Sequence, residues 1–260
     1  MTALGSDLAR IEEALRAAAD AVALFTPGAV AVERKAGGSP VTEADRAIDE
    51  VLHQILPRDG EGWLSEETAD DLSRLERRRV WIVDPLDGTR EFVEGLPEWC
   101  ISIGLVEDGV PVAGGIFNPS ADLLVLGATG EGVTCNGEAA ALSDRQSLDG
   151  AVVLASRSEV RRGEWQRFEG GRYQVKALGS VAYKLALVAS GRADVTWTLV
   201  PKNEWDVAAG VALVRAAGGR AVALEEPERL FNRESPLLRG LVAYPAPLGG
   251  ELGEELSLRL

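Results

Sequence analysis

The chain of 260 residues carries 27 Lys and Arg against 41 Asp and Glu, a formal charge of −14, with 46% apolar and 26% charged residues. That balance belongs to a globular protein able to bury a sizeable core, and it opposes binding to nucleic-acid polymers or anionic membranes. No stretch nears the roughly 20 apolar residues of a membrane span, the first residues, Met-Thr-Ala-Leu-Gly-Ser-Asp, lack the basic and apolar regions expected of a signal peptide, and one histidine, His53, leaves no material for a catalytic triad or a multi-His zinc site.

A soluble, cytoplasmic protein is therefore expected. Residues 6 to 25 read as an amphipathic helix, with Leu8, Ile11, Leu15, Ala18, Ala19 and Val22 at helical spacing. Gly37-Gly38-Ser39-Pro40 predicts a flexible loop. Thr42 then caps a second helix that has Asp45 in its first turn and stops before Pro57. His53 falls on that helix, in a solvated or capping role. Gly62 to Ser65 leads into the acidic pair Glu66-Glu67, and residues 70 to 78 suggest a short charged helix.

Strands are expected at 80 to 83, 100 to 107, 110 to 117 and 122 to 128, with Asp108-Gly109 as a hairpin turn. Cys100 and Cys135 match neither a disulfide framework nor a zinc spacing and read as reduced thiols. The second half alternates. Strands at 151 to 155, 172 to 177 and 193 to 199 precede helices at 159 to 168, 180 to 189 and 204 to 217. Gly218-Gly219 closes the last helix, and strands follow at 220 to 224 and 239 to 244. The order implies one α/β unit over 1–260, with sub-domains 1–148 and 149–260.

The chemistry-bearing segment is Asp84-Pro85-Leu86-Asp87-Gly88-Thr89, directly after Val80-Trp81-Ile82-Val83. Two carboxylates three residues apart leave a strand end and enter a Gly-Thr turn. They can surround one point with acids and backbone N–H groups, where a metal ion and a phosphate fit together. Asp45, Glu66 and Asp206 are the other candidate acids. Any one alone reads as an ordinary surface carboxylate, and helix capping explains Asp206 as well as metal ligation does. An acid-rich, histidine-poor chain suits hard cations such as Mg²⁺.

Four segments together resemble the inositol monophosphatase superfamily of Mg²⁺-dependent phosphomonoesterases. They are Pro40-Val41-Thr42-Glu43-Ala44-Asp45, Ser65-Glu66-Glu67, Asp84 to Thr89 within WIVDPLDGTREF, and WDVAAG from Trp205 to Gly210, in the family's order. The resemblance implies an α/β fold of the layered αβαβα sandwich type and two to three Mg²⁺ ions. Glu66, Asp84 and the Leu86 carbonyl would bind one ion. Asp84, Asp87 and Asp206 would bind a second, and Glu66 would also face a weaker third. Asp45 and Thr89 would position the nucleophilic water, so Asp45, Thr89 and Glu66 form the expected catalytic group.

The resemblance further implies a small phosphate ester as partner and inhibition by lithium. It leaves a homodimer open, with Trp99 and Trp165 as either interface or core residues. Physically, metal ions ~3.5–4 Å apart neutralise a phosphomonoester dianion that otherwise repels an anionic nucleophile. The Gly88 and Thr89 N–H groups would open a short helix towards the phosphate.

Substrate choice rests on finer resemblances. DPLDGT followed by Arg90-Glu91-Phe92, and Ser156-Arg157-Ser158, look like the 3′(2′),5′-bisphosphate nucleotidase branch. Lys184 stands where that branch places a lysine near the second phosphate, or else snorkels from the helix over 180 to 189, and Lys202, on an apolar and basic wall formed by Leu199 to Lys202, reads as a second-phosphate ligand or as an exposed lysine. Asp87, Gly88, Thr89, Ser180, Lys184, Lys202 and Asp206 make up the expected substrate site. Glu159 departs from that branch, which has a histidine there. The expected reaction is hydrolysis of adenosine 3′,5′-bisphosphate to AMP and phosphate. The alternative is an inositol or related sugar phosphate.

Overall fold

The computed structural model describes residues 2–34, 40–224, 226 and 230–257; of the loop expected at Gly37-Gly38-Ser39-Pro40, residues 37–39 lie outside them and Pro40 is in a short strand. In chain order the elements are α1 (Ala3–Val22), β1 (Glu33–Arg34), β2 (Pro40–Val41), α2 (Glu43–Ile55), β3 (Gly62–Ser65), β4 (Arg79–Asp87), α3 (Thr89–Val93), β5 (Cys100–Glu107), β6 (Val110–Asn118), β7 (Leu123–Ala128), β8 (Gly132–Cys135) and β9 (Glu138–Ala140). The second half supplies β10 (Val152–Ser156), α4 (Arg157–Arg161), β11 (Gln174–Leu178), α5 (Val181–Ala189), β12 (Val195–Asn203), α6 (Glu204–Ala216), β13 (Arg220–Ala223), β14 (Leu237–Tyr244) and α7 (Gly249–Leu256).

Two mixed sheets organise these elements. The larger has the order β3-β4-β5-β6-β7-β8-β9 and the smaller β11-β10-β12-β14-β13. Only β3–β4 pair in parallel in the first, whereas β10 runs parallel to both neighbours in the second. Side-chain alternation along β4 divides the core. Trp81 and Val83 face α1 and α2, where Ile11, Leu15, Ile48 and Leu52 meet them. Val80 and Ile82 face α5 and α6, whose other side meets Leu154 and Leu241 of the smaller sheet. On that sheet's far face, Trp197 and Val242 pack against Trp165, Phe168, Leu248 and Leu252. The result is the expected αβαβα layering.

A helix buried between two sheets cannot be amphipathic. Accordingly, every residue from Val207 to Val214 of α6 is buried. Its seat is made by two glycines paired across β5 and β6, Gly104 and Gly114. A Cβ at Gly104 would lie 2.8 Å from Ala209 N, and one at Gly114 2.6 Å from Ala209 O. The α6 backbone therefore rests directly on the larger sheet, and its first turn is fixed relative to β4. No helix among the described residues is long and apolar enough to cross a membrane.

Several expectations change. Residues 70 to 78 hold only a 3-10 turn at Ser73–Glu76, and the helix expected over 159 to 168 is α4 plus a 3-10 turn at Gln166–Phe168. Strands β3, β8 and β9 and helix α7 were not expected. They are short, and none carries a clean period to read. Trp165 stacks on Trp197 at 4.7 Å between ring centroids, and Trp99 meets Phe92 edge-on at 4.9 Å; both tryptophans are core residues. His53 is exposed in the last turn of α2, and both cysteines are free.

Candidate active site

The strand expected over 80 to 83 does not end before the Asp84–Thr89 segment. β4 continues through it to Asp87. In a regular strand, residues three apart point to opposite faces. Here Asp84 pairs with Ser102 and Asp87 with Cys100, so three steps on β4 match two on β5. The extra residue is a β-bulge, which turns Asp87 back to the side of Asp84. Pro85 and Leu86 occupy the bulge, beyond the end of β3, where a missing N–H breaks no inner ladder bond. Gly88 then takes φ 100°, a left-handed conformation suited to glycine, and α3 starts at Thr89.

The remaining acids arrive on other elements. Glu66 follows β3 on a loop held by Asp49 of α2, whose carboxylate accepts hydrogen bonds from the Ser65 and Thr68 hydroxyls. Asp45 and Asp206 are each the third residue of a helix and cap it. Asp45 Oδ2 accepts from Thr42 N at 2.8 Å, and Asp206 Oδ2 accepts from Asn203 N at 2.8 Å. One oxygen of each of the four aspartates, Asp45, Asp84, Asp87 and Asp206, is thus held by the protein. Asp84 Oδ1 accepts from Leu86 N at 3.0 Å, and Asp87 Oδ2 accepts from Ser180 Oγ at 2.7 Å and from Ala182 N. The Thr89 hydroxyl lies 3.0 Å from both Asp45 Oδ1 and the Leu86 carbonyl oxygen.

Glu66, Asp84 and Asp206 each bring one carboxylate oxygen within 4.8 Å of the others. Two unit charges that close repel by about 3–4 kcal/mol at an effective dielectric of ~20. Burial, then the carboxylates of Glu66, Asp87 and Asp206, hold the Asp84 carboxyl well above the usual range. Burial and the neighbouring Asp87 push Asp206 up to about 8. Burial also raises Asp87, against the opposing pull of the Ser180 and Ala182 hydrogen bonds and Lys184. Oxygen-only donors, pre-oriented and mutually repelling, fit a hard divalent cation that would relieve the repulsion.

These residues line a cleft of about 270 Å³ that also takes in Leu86, Gly88, Thr89, Ser156, Ser158, Ser180, Lys184 and Lys202. Its lining brings two lysines together with the acids, and both lie close enough to oppose the rise of the Asp87 carboxyl. A larger groove of about 790 Å³, between the β5–β6 turn and residues 230–233, shares none of them and lacks the carboxylate cluster. The two lysines differ. Lys184 is buried, and burial pushes its ammonium down to about 8. Its Nζ donates to the carbonyls of Ser180, Gly179 and Leu178 at 2.6, 3.3 and 3.4 Å. Lys202 keeps 15% of its side chain exposed, 3.7 Å from Glu159 Oε1.

The structure gathers Glu66, Asp84, Leu86, Asp87, Gly88, Thr89, Ser180, Lys184, Lys202 and Asp206 around one cleft, with Asp45 joined to it through Thr89, and adds residues that brace them. Glu98 binds Arg157 through both oxygens and accepts from Gly179 N at 2.8 Å, tying α4 and the α5 entry to the segment before β5. Nothing local marks Glu98; it precedes a tryptophan in an irregular stretch. Glu159 is buried and accepts from Trp165 Nε1 at 3.1 Å and from the Thr198 hydroxyl. Glu91, on the turn after Thr89, lines the cleft, and burial raises its carboxyl above the usual range.

Fold and site together define a metal-dependent phosphatase of the αβαβα type, and the comparisons agree. The inositol monophosphatase family model matches residues 7–247. The inositol-1-monophosphatase of Mesorhizobium japonicum is 36% identical over 197 residues, 72% of this chain and 73% of that protein. Among solved structures, the extragenic suppressor protein suhB of Bartonella henselae superposes with a TM-score of 0.81 at 28% identity, covering 95% of this chain and 96% of that one. CysQ of Bacteroides thetaiotaomicron, described as a bacterial member of the inositol monophosphatase family, gives 0.75 at 30% identity, covering 92% and 97%. The chain belongs to the inositol monophosphatase family, as a phosphomonoesterase.

Proposed function

We propose that the chain hydrolyses a small phosphate monoester with water in the presence of Mg²⁺, with an inositol monophosphate as the substrate class to place first. The observation that carries the reaction is the convergence of Glu66, Asp84 and Asp206 beside the Thr89–Asp45 pair. Two to three Mg²⁺ ions held by Glu66, Asp84, Asp87, Asp206 and the Leu86 carbonyl would neutralise phosphate oxygens, acidify the attacking water and stabilise the leaving alkoxide. The chain's own groups orient that water. Thr89 Oγ–H donates to Asp45 Oδ1 and accepts from the water, so the water's proton leaves through Thr89 towards Asp45. The N–H groups at Gly88 and Thr89 would hold a phosphate oxygen.

The substrate reading differs from the one the nucleotidase-like motifs suggested. The curated relative named above is an inositol-1-monophosphatase, which favours a polyol phosphate over a bisphosphate nucleotide. A second reading, adenosine 3′,5′-bisphosphate, is supported by Lys202, a part-exposed cation that lines the cleft beside Glu159. A second phosphate would meet it with a charge-assisted hydrogen bond.

The test compares kcat/KM for inositol 1-phosphate, adenosine 3′,5′-bisphosphate and fructose 1,6-bisphosphate with Mg²⁺. The highest value is expected for inositol 1-phosphate. Preference for the nucleotide would move the assignment to the second reading, and no Mg²⁺-dependent phosphate release from any of the three would overturn the proposal.

A further inference from the structure

We infer that Lys184 is a positioning residue for the metal site, clamping the Leu178–Ser180 turn so that Ser180 and the Ala182 N–H fix one oxygen of Asp87. This rests on the carboxylate-cluster reading given above. An ammonium has three donors and no acceptor. Nζ of Lys184 is surrounded by three successive carbonyl oxygens, those of Leu178, Gly179 and Ser180. Its hydrogen-bonding capacity is therefore spent inside the protein, and the side chain is 2% exposed. Lys202, which is part-exposed and ion-paired with Glu159 at 3.7 Å, is not enclosed by backbone carbonyls in this way among the described residues.

The clamped turn needs holding. Ser180 has φ 51° and ψ 124°, a conformation that L-residues avoid and that persists only where surrounding bonds enforce it. Lys184 holds its carbonyl, and Glu98 holds the preceding N–H. In this conformation Ser180 caps α5: its Oγ accepts from Tyr183 N at 3.0 Å and donates to Asp87 Oδ2 at 2.7 Å. Ala182 N donates to the same oxygen. Both bonds fall on Oδ2, which settles how the Asp87 carboxylate is rotated and leaves Oδ1 for a cation. A bulged strand from one half of the chain and a strained helix entry from the other are joined at this single carboxylate.

The experiment is calorimetric titration of Mg²⁺ into the wild type, Lys184→Met and Ser180→Ala, with kcat and KM for inositol 1-phosphate and adenosine 3′,5′-bisphosphate. Outer partners of metal ligands typically set ~10–100-fold in metal affinity. Both variants should weaken Mg²⁺ binding by about 10-fold or more, lower kcat alike for both esters, and leave the ratio of their KM values unchanged. Wild-type Mg²⁺ affinity in Ser180→Ala would overturn the inference, even if Lys184→Met does not fold. So would a Lys184→Met effect confined to KM for the bisphosphate, which would make Lys184 a substrate ligand. A wild type that binds no Mg²⁺ would instead remove the cluster reading, and this inference with it.

Discussion

Two helix entries in this molecule have the same local design and different surroundings. Thr42-Glu43-Ala44-Asp45 opens α2, and Asn203-Glu204-Trp205-Asp206 opens α6. In each, the third helical residue is an aspartate whose Oδ2 accepts from the N-cap backbone N–H at 2.8 Å. The cap fixes the side chain in both cases. What the other oxygen meets then differs. Asp45 Oδ1 meets the Thr89 hydroxyl, a proton donor. Asp206 sits among Glu66, Asp84 and Asp87, and its pKa rises to about 8. In the reaction proposed above, the same motif would serve as a proton relay where it faces a hydroxyl and as a cation ligand where it faces carboxylates. Capping is thus a positioning device here, and its neighbours decide the chemistry.

The contrast can be tested at both ends. Asp206→Asn should cost the most, weakening Mg²⁺ binding by more than the ~10–100-fold typical of outer partners and suppressing phosphate release with it. Asp45→Asn should lower kcat by ~10²–10⁴, the range for a lost acid–base group, while Mg²⁺ affinity by calorimetry stays within about threefold. Equal losses of metal affinity in the two variants would erase the distinction between the entries.

The pH dependence sharpens it further. A carboxyl whose folded pKa is raised binds more protons in the folded than in the unfolded state, so its stabilising contribution is lost as pH rises through the folded value. For Asp206 that value is about 8. The Tm of the metal-free protein should fall between about pH 5 and pH 8, and added Mg²⁺ should raise Tm more at pH 8 than at pH 5.5. A Mg²⁺ shift independent of pH would contradict the crowding of acids. The smallest effect belongs to Thr42→Ala, which removes a capping hydroxyl from Asp45 and Ala44 N. A loss of about 1 kcal/mol is expected, or about 2–4 °C in Tm for a chain of this size, with Mg²⁺ affinity unchanged.

Much of this was legible in the residues alone. The period of Ile11, Leu15 and Ala18 marks α1, Thr42 with Asp45 marks the start of α2, and Asp108-Gly109 marks the β5–β6 turn. These features are local: a cap, a period or a turn is set within about four residues, so a single sequence contains it. The acidic motifs also sufficed to name the family, because they sit in short, recognisable runs.

Tertiary structure decided how those runs meet. Asp84 and Asp87 share a side only because the pairing with β5 forces a bulge, and no spacing rule contains that register. The three carbonyls around the Lys184 ammonium come from the turn before its own helix, a wrapping that no sequence spacing contains. Glu98 gained its role from Arg157 and Gly179, 59 and 81 residues away. The sequence by itself determined which side chains could bind a cation and which helices would present them. Packing across the two sheets determined which oxygens are free, because a hydrogen bond to a distant residue removes a donor or acceptor that the sequence shows as available.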